Sequence, residues 1–428
     1  MIFYYLIVWF SAVPNQPWFG AQLGGDGFTV FKYVGLVAFL YALGYVAVKG
    51  GVPTLFGTWQ ARFFAALVFL ATISYMALGD RPNIFMSPLM SYLSFVFMFF
   101  VIIVLVDSVR RLRYSVFAIM GALSVASLYL LREWQKNGFS SGYRAGWVSG
   151  DANYFGANAI LALALGYFLL KTKLPFRQKL FVIACTMLTA TSLVVSASRG
   201  AFLGICVCAV FIFMRSRKKA QLLGAGVVIA MLLIISPNSP IQRILHPRYG
   251  DTASTEAHKE LFYAGLKVYA KHPITGVGLG RFKETMDSMG LFQDRGGYIA
   301  HDVYVEYAAE MGTLGILLFL CILVSTYSSL AKVRRDARKR GDEFFFAVTS
   351  GMQTGLVGFA VASMFLSAEY QKTFWIIIFL SAAIPALFRK RCRELDRVEK
   401  AESSRAFSAP ATNAGPETDL VHARFERV

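Results

Sequence analysis

Long apolar runs alternate along the whole chain with short polar or glycine-rich breaks. The runs are Ile2 to Val13, Phe28 to Val48, Phe63 to Leu78, Met86 to Val106, Ser115 to Leu131, Tyr154 to Leu170 and Leu180 to Val195. They continue with Ala201 to Met214, Leu222 to Ile235, Gly312 to Leu330, Phe344 to Leu366 and Phe374 to Phe388. None has the strict two-residue alternation of a membrane barrel strand, so each run predicts a helix that satisfies its own backbone groups. The pattern predicts an all-α polytopic membrane protein with about twelve spans. Ile2 to Val13 is short, but it has no basic region before it and no small-residue cleavage site after it, and it is read as the first span.

Composition agrees with that reading. Of 428 residues 56% are hydrophobic and only 16% charged, too little polar surface to clothe a soluble globule. The net charge of +18 could point to nucleic acid, but the cations do not form one patch. They fall in alternate breaks: Lys49 and Arg62, Arg110 to Arg113, Lys171 to Lys179, Arg215 to Lys219, Lys332 to Arg340 and Arg389 to Arg393. This is the bias of cytoplasmic loops, so it predicts both termini in the cytoplasm and no nucleic-acid partner. The other breaks then face outward, and the longest of them is 236–303. Residues 1–395 form one membrane domain, and the Ala, Ser, Glu, Pro and Thr mixture of 396–428 predicts a disordered tail. The five cysteines are an odd set placed within or just after apolar runs, which argues against both a disulfide framework and a zinc site.

Chemistry concentrates in the long outer break. Four of the five histidines, His246, His258, His272 and His301, fall there, offering proton transfer near neutral pH. Their spacing lacks the short-range pairs of a metal site. Ser254 is placed to cap a helix from Thr255 to Ala270. Its stripe of Leu261, Phe262, Leu266 and Tyr269 fits either the membrane face or packing on the bundle. The following GVGLGRF lacks the flanking strands of a dinucleotide fingerprint. Its glycines permit a tight turn from which Arg281 either meets an anionic group or stays on the surface.

Arg199, in the minimal SASRG break, sets a permanent charge at the membrane boundary, where it either takes a partner or snorkels. His301 and Asp302 open a helix on which Glu306 and Glu310 recur at four-residue spacing. The acids are favoured there by the helix dipole alone, whereas the same dipole keeps His301 neutral, the form a general base needs. A further outer break carries Arg132, Tyr143, Arg144, Trp147, Asp151 and Asn153, a mixture of cations, rings and polar groups that suits sugars and is equally ordinary for an outer loop of a membrane protein.

Taken together, SASRGAFLG, HPITGVGLGRF and AHDVYVEYAAEMGTLGILLF resemble the O-antigen ligase and polymerase family of bacterial membrane glycosyltransferases, over roughly Asp151 to Leu320. The resemblance implies a GT-C-like helical fold and transfer of a glycan from undecaprenyl pyrophosphate at the periplasmic face of the inner membrane. No metal or other cofactor is implied. Arg199 and Arg281 would hold the pyrophosphate, and His301 would deprotonate or orient the attacking hydroxyl. Arg144, Asp151, Asn153 and Asp302 are candidate substrate contacts, and Asp302 stands where relatives often carry Asn. The acceptor is lipid A core in a ligase, a growing glycan in a polymerase, or a protein in an O-oligosaccharyltransferase; ligation to lipid A core is the reading favoured. A twelve-span transporter or flippase would share the hydropathy profile, but it calls for charged or broken helices near the membrane midplane.

Overall fold

A computed structural model describes residues 1–12, 30–49, 54–78, 84, 87–138, 152–235, 240–245, 249–290 and 300–408. The helices are α1 (Ile2–Ala12), α2 (Val30–Lys49), α3 (Trp59–Met76), α4 (Pro88–Leu105), α5 (Val109–Lys136), α6 (Ala152–Leu169), α7 (Phe176–Ser196) and α8 (Arg199–Arg215). There follow α9 (Lys219–Ile235), α10 (Pro240–Leu245), α11 (Tyr249–Lys271), α12 (Phe282–Ser288), α13 (Val303–Arg340), α14 (Glu343–Ala362) and α15 (Lys372–Ser408). Among the described residues no strand occurs, and nine helices are long and apolar enough to cross a membrane. The three remaining apolar runs form α1, α8 and α9, of 11, 17 and 17 residues. The chain is an all-α polytopic membrane protein.

The chain divides into two units, Met1–Leu387 and Phe388–Val428, and α15 crosses the division. In the first unit α14 is central, because small residues let its backbone approach its neighbours. Gly351 and Gly355 lie against the Cα atoms of Leu165 and Leu161 on α6, where an added Cβ would come within 2.8 and 3.1 Å. Gly204 of α8 crosses α14 at Gly358, whose carbonyl oxygen an added Cβ would meet at 2.5 Å. Aromatic rings fill the other side. Phe359 of α14 stacks on Phe374 of α15 at 4.7 Å, and Phe64 of α3 meets Phe379 of α15 edge-on at 4.8 Å.

In the second unit the last helix continues to Ser408, past residue 396 where the sequence suggested a disordered tail. Good helix formers with Asp396 four residues before Lys400 support the extension. Residues 409–428 of that tail lie outside the described residues.

The long break between α9 and α13 is itself helical. Its helix α11 starts at Tyr249, so Ser254 sits inside it and does not cap it. Leu261, Ala264 and Val268 of α11 are buried with Phe282 and Met286 of α12 and Val305 and Ala309 of α13. Of the two readings of the apolar stripe, Leu261 follows the packing one, while Phe262 and Leu266 remain partly exposed.

Helix α13 breaks at Gly312, whose φ of 66° and ψ of −166° are open essentially to glycine alone. The turn after α11 docks into the break: Val277 and Gly278 donate to the carbonyls of Ala309 and Glu310 at 2.9 and 3.0 Å, and Thr313 donates to Pro273 at 2.8 Å. The Glu310 carboxylate accepts in turn from the N–H groups of Gly280 and Phe282. A Cβ on Gly312 would lie 2.1 Å from the Ile274 oxygen. Gly312→Ala is therefore expected to lose about 2 kcal/mol or more of stability, read as a lower melting temperature of the solubilised protein. Gly44→Ala, inside α2 with nothing within 4 Å of the new Cβ, is the control that is expected to lose no stability.

Candidate functional site

Three helices begin around one cavity of about 610 Å³, a volume usual for ligand pockets. Asn153 stands at the start of α6, Arg199 at the start of α8, and His301 with Asp302 just before α13. Helix starts carry unsatisfied N–H groups and partial positive charge, so their convergence favours an anion. Ser198 organises two of them. Its hydroxyl caps α8 by accepting from Ala201 N–H at 3.3 Å and donates to Asn153 Oδ1 at 2.8 Å.

Arg199 projects across the cavity to α11, donating to Thr255 Oγ1 at 2.9 Å. From α11 the cavity also receives His258, Lys259, Phe262 and Tyr263, which with Thr255 fall at i, i+3, i+4, i+7 and i+8 and so share one face. Lys259 pairs with Glu256 at 2.9 Å. The imidazole rings of His258 and His301 lie 4.9 Å apart. Leu203, Ile244, Phe262, Tyr263, Met364 and Phe365 line the cavity while remaining exposed, giving it an apolar rim.

His301 has a left-handed backbone, φ 49°, and its N–H donates to Ser367 Oγ at 3.1 Å. Among the described residues one other non-glycine residue shares that conformation, Ala197 at the α7–α8 corner, two residues before Arg199. Such strain is sparsely populated and is held here at the lining residue His301 and two residues before the lining residue Arg199. Asp302 caps α13, its Oδ1 accepting from Tyr304 and Val305 N–H at 2.9 and 3.1 Å. Burial pushes its carboxyl above the usual range, and those two N–H groups pull it part of the way back.

Behind His301 the segment 367–371 clamps the site. Tyr154 donates to the Ser367 carbonyl at 3.1 Å, Trp375 to the Glu369 carbonyl at 2.7 Å, and Asn158 to Gln371 at 3.0 Å. Glu369 and Glu306 face each other with 5% exposure apiece, and burial pushes the Glu369 carboxyl above its ordinary value.

Residues 183–320 match the O-antigen ligase family model, Wzy_C. That bears out the resemblance read from the sequence, over a segment holding Arg199, Arg281 and His301. A search of curated proteins finds no significant match. The O-antigen ligase match implies ligase-type or polymerase-type glycosyl transfer.

The predicted site residues divide in three. Arg199, His301, Asp302 and, from outside the matched segment, Asn153 share the cavity. Arg281 does not line it among the described residues: its turn is folded by Gly276, Gly278 and Gly280, all at positive φ, against α13 and the α3–α4 corner. There Leu279 N–H donates to Ser74 Oγ at 3.0 Å, and the Arg281 guanidinium pairs with Glu284. Arg144 and Asp151 lie outside the described residues, as does His246. The cavity contacts Thr255 and Lys259 and the carboxylate Glu369 were not singled out in the sequence. The helical spacing of the first two around His258 was the available signal, and Glu369 was one acid in a short break.

Proposed function

We propose that the chain transfers a glycan from undecaprenyl pyrophosphate to a hydroxyl of lipid A core at the periplasmic face of the bacterial inner membrane. The observation that carries this reading is the single cavity into which three helix starts, Arg199 and His301 are gathered behind an apolar rim. The acceptor oxygen attacks the anomeric carbon, the bond from that carbon to the pyrophosphate oxygen breaks, and the acceptor proton passes to His301. Arg199, with Lys259 and the starts of α6 and α8, holds the charge that grows on the departing pyrophosphate, while Asp302 takes up the N–H groups at the start of α13. The apolar rim suits the polyprenyl tail. Arg281, outside the cavity, is assigned to holding the turn that docks on α13.

A transporter is the rival from another class, and α13 does contain the broken helix that such a protein requires. The break stands ten residues into a 38-residue helix, and the turn at 273–278 takes up its backbone groups, which favours anchoring over an ion path. Cells lacking the chain are expected to accumulate the lipid-linked glycan on the periplasmic leaflet and to lose glycan-bearing lipopolysaccharide, with recovery on complementation. Lipid A core bearing a single repeat would mark a polymerase instead, and precursor trapped on the cytoplasmic leaflet would mark a flippase.

A further inference from the structure

A second cavity of about 490 Å³ opens among the opposite helix ends, between the C-terminal ends of α6, α8 and α13 and the start of α14. Lys171, Arg215, Arg334 and Arg338 line it against one carboxylate, Glu343. That carboxylate is occupied in part by the Lys173 N–H at 3.1 Å. Arg215 donates to Tyr327 and lies over the Phe211 ring, 3.7 Å from its centroid, contacts that orient the guanidinium without neutralising it. The charge is therefore in large excess on one sign.

The cavity also has depth. Glu343, Ala347, Ser350 and Thr354 line it from one face of α14, and the first and last are separated by about 16 Å of helix rise. Phe168, Ile212 and Phe346 make the walls apolar. At the inner end Ser350 and Thr354 are only 2% and 1% exposed, and their hydroxyls have no hydrogen-bond partner among the described residues. The buried Nε of Arg334 has none either. Buried polar atoms are nearly always satisfied, so three along one cavity call for a ligand with acceptors at two depths.

We propose that this cavity binds an anionic glycerophospholipid from the leaflet on the basic face. Its phosphate lies among Arg215, Arg334 and Arg338, and its ester oxygens accept from Ser350 and Thr354. A free phosphate would satisfy the cations but would reach neither the hydroxyls nor the apolar walls. The lipid also matches the place, a boundary where helix ends meet headgroups.

Native mass spectrometry of the full chain in detergent tests this, with phosphatidylglycerol, phosphatidylcholine of the same acyl chains, and inorganic phosphate as probes. Phosphatidylglycerol is expected to be retained about tenfold more tightly than phosphatidylcholine, and inorganic phosphate is not expected to displace it. Arg215→Gln with Arg338→Gln is expected to abolish the preference. Arg338→Gln alone changes an exposed side chain, leaves packing intact and is expected to weaken it. Arg110→Gln, a basic residue outside the cavity, is expected to leave it unchanged. Equal retention of the two lipids, displacement by inorganic phosphate, or a preference that survives the Arg215 and Arg338 changes would overturn the proposal.

Discussion

His301→Ala is expected to lower glycan transfer by about a thousandfold while leaving the protein folded and inserted, because a positioned general base contributes roughly 10²- to 10⁴-fold. The cavity wall would lose only its imidazole: His301 is half-buried, and its contact to Ser367 runs through its backbone N–H, which alanine keeps. Alanine also adopts the left-handed backbone in this fold, at Ala197 in the α7–α8 corner. In cells the expected result is accumulation of the lipid-linked precursor with loss of finished product at normal protein levels. His258→Ala separates the two imidazoles that lie 4.9 Å apart. If His301 is the base, the His258 change costs much less. Normal product from His301→Ala would remove the assignment.

Arg199→Ala comes next in size, an expected loss of about 10²- to 10³-fold, the range for deleting one preorganised donor to a developing anion. Arg199→Lys keeps the charge but loses the planar fork and its reach to Thr255, so partial recovery of about tenfold is expected. The informative comparison is Arg281→Ala. It removes a guanidinium that pairs with Glu284 outside the cavity, and its expected cost in transfer is under about tenfold. An Arg281→Ala loss as deep as that of Arg199→Ala, in a protein that melts normally, would return Arg281 to the pyrophosphate. Single-turnover transfer with purified lipid-linked donor measures all three.

The helices were legible because burial in lipid demands long uninterrupted apolar runs: each of the twelve runs became a helix, and among the described residues nine helices are long and apolar enough to cross a membrane. Arg199 was legible because it stands in a minimal break between two apolar runs, and His301 and Asp302 because they close the long outer break at the start of a helix, where a histidine is not explained by the dipole. Arg281 was legible as a tight glycine turn but not in its direction. That direction is set by contacts the local sequence does not contain, Ser74 and Pro88 from more than 190 residues upstream. Glu310 follows the same logic. Its four-residue spacing suggested a dipole effect, while its carboxylate serves to hold the N–H groups of Gly280 and Phe282. Glu369 had no pattern to betray it, since its significance comes from facing Glu306 across the fold.

The docking of residues 273–278 into the Gly312 break has a consequence for anyone building chimeras. Thr313 and the carbonyls of Ala309 and Glu310 depend on backbone partners in the segment 273–278, as a lock depends on its own key. An outer segment grafted from a relative with a splice point between the two pieces would bring a mismatched pair together, whatever the length or sugar preference of the donor loop. Swaps meant to change the acceptor therefore have to keep 273–278 and 309–313 from the same parent.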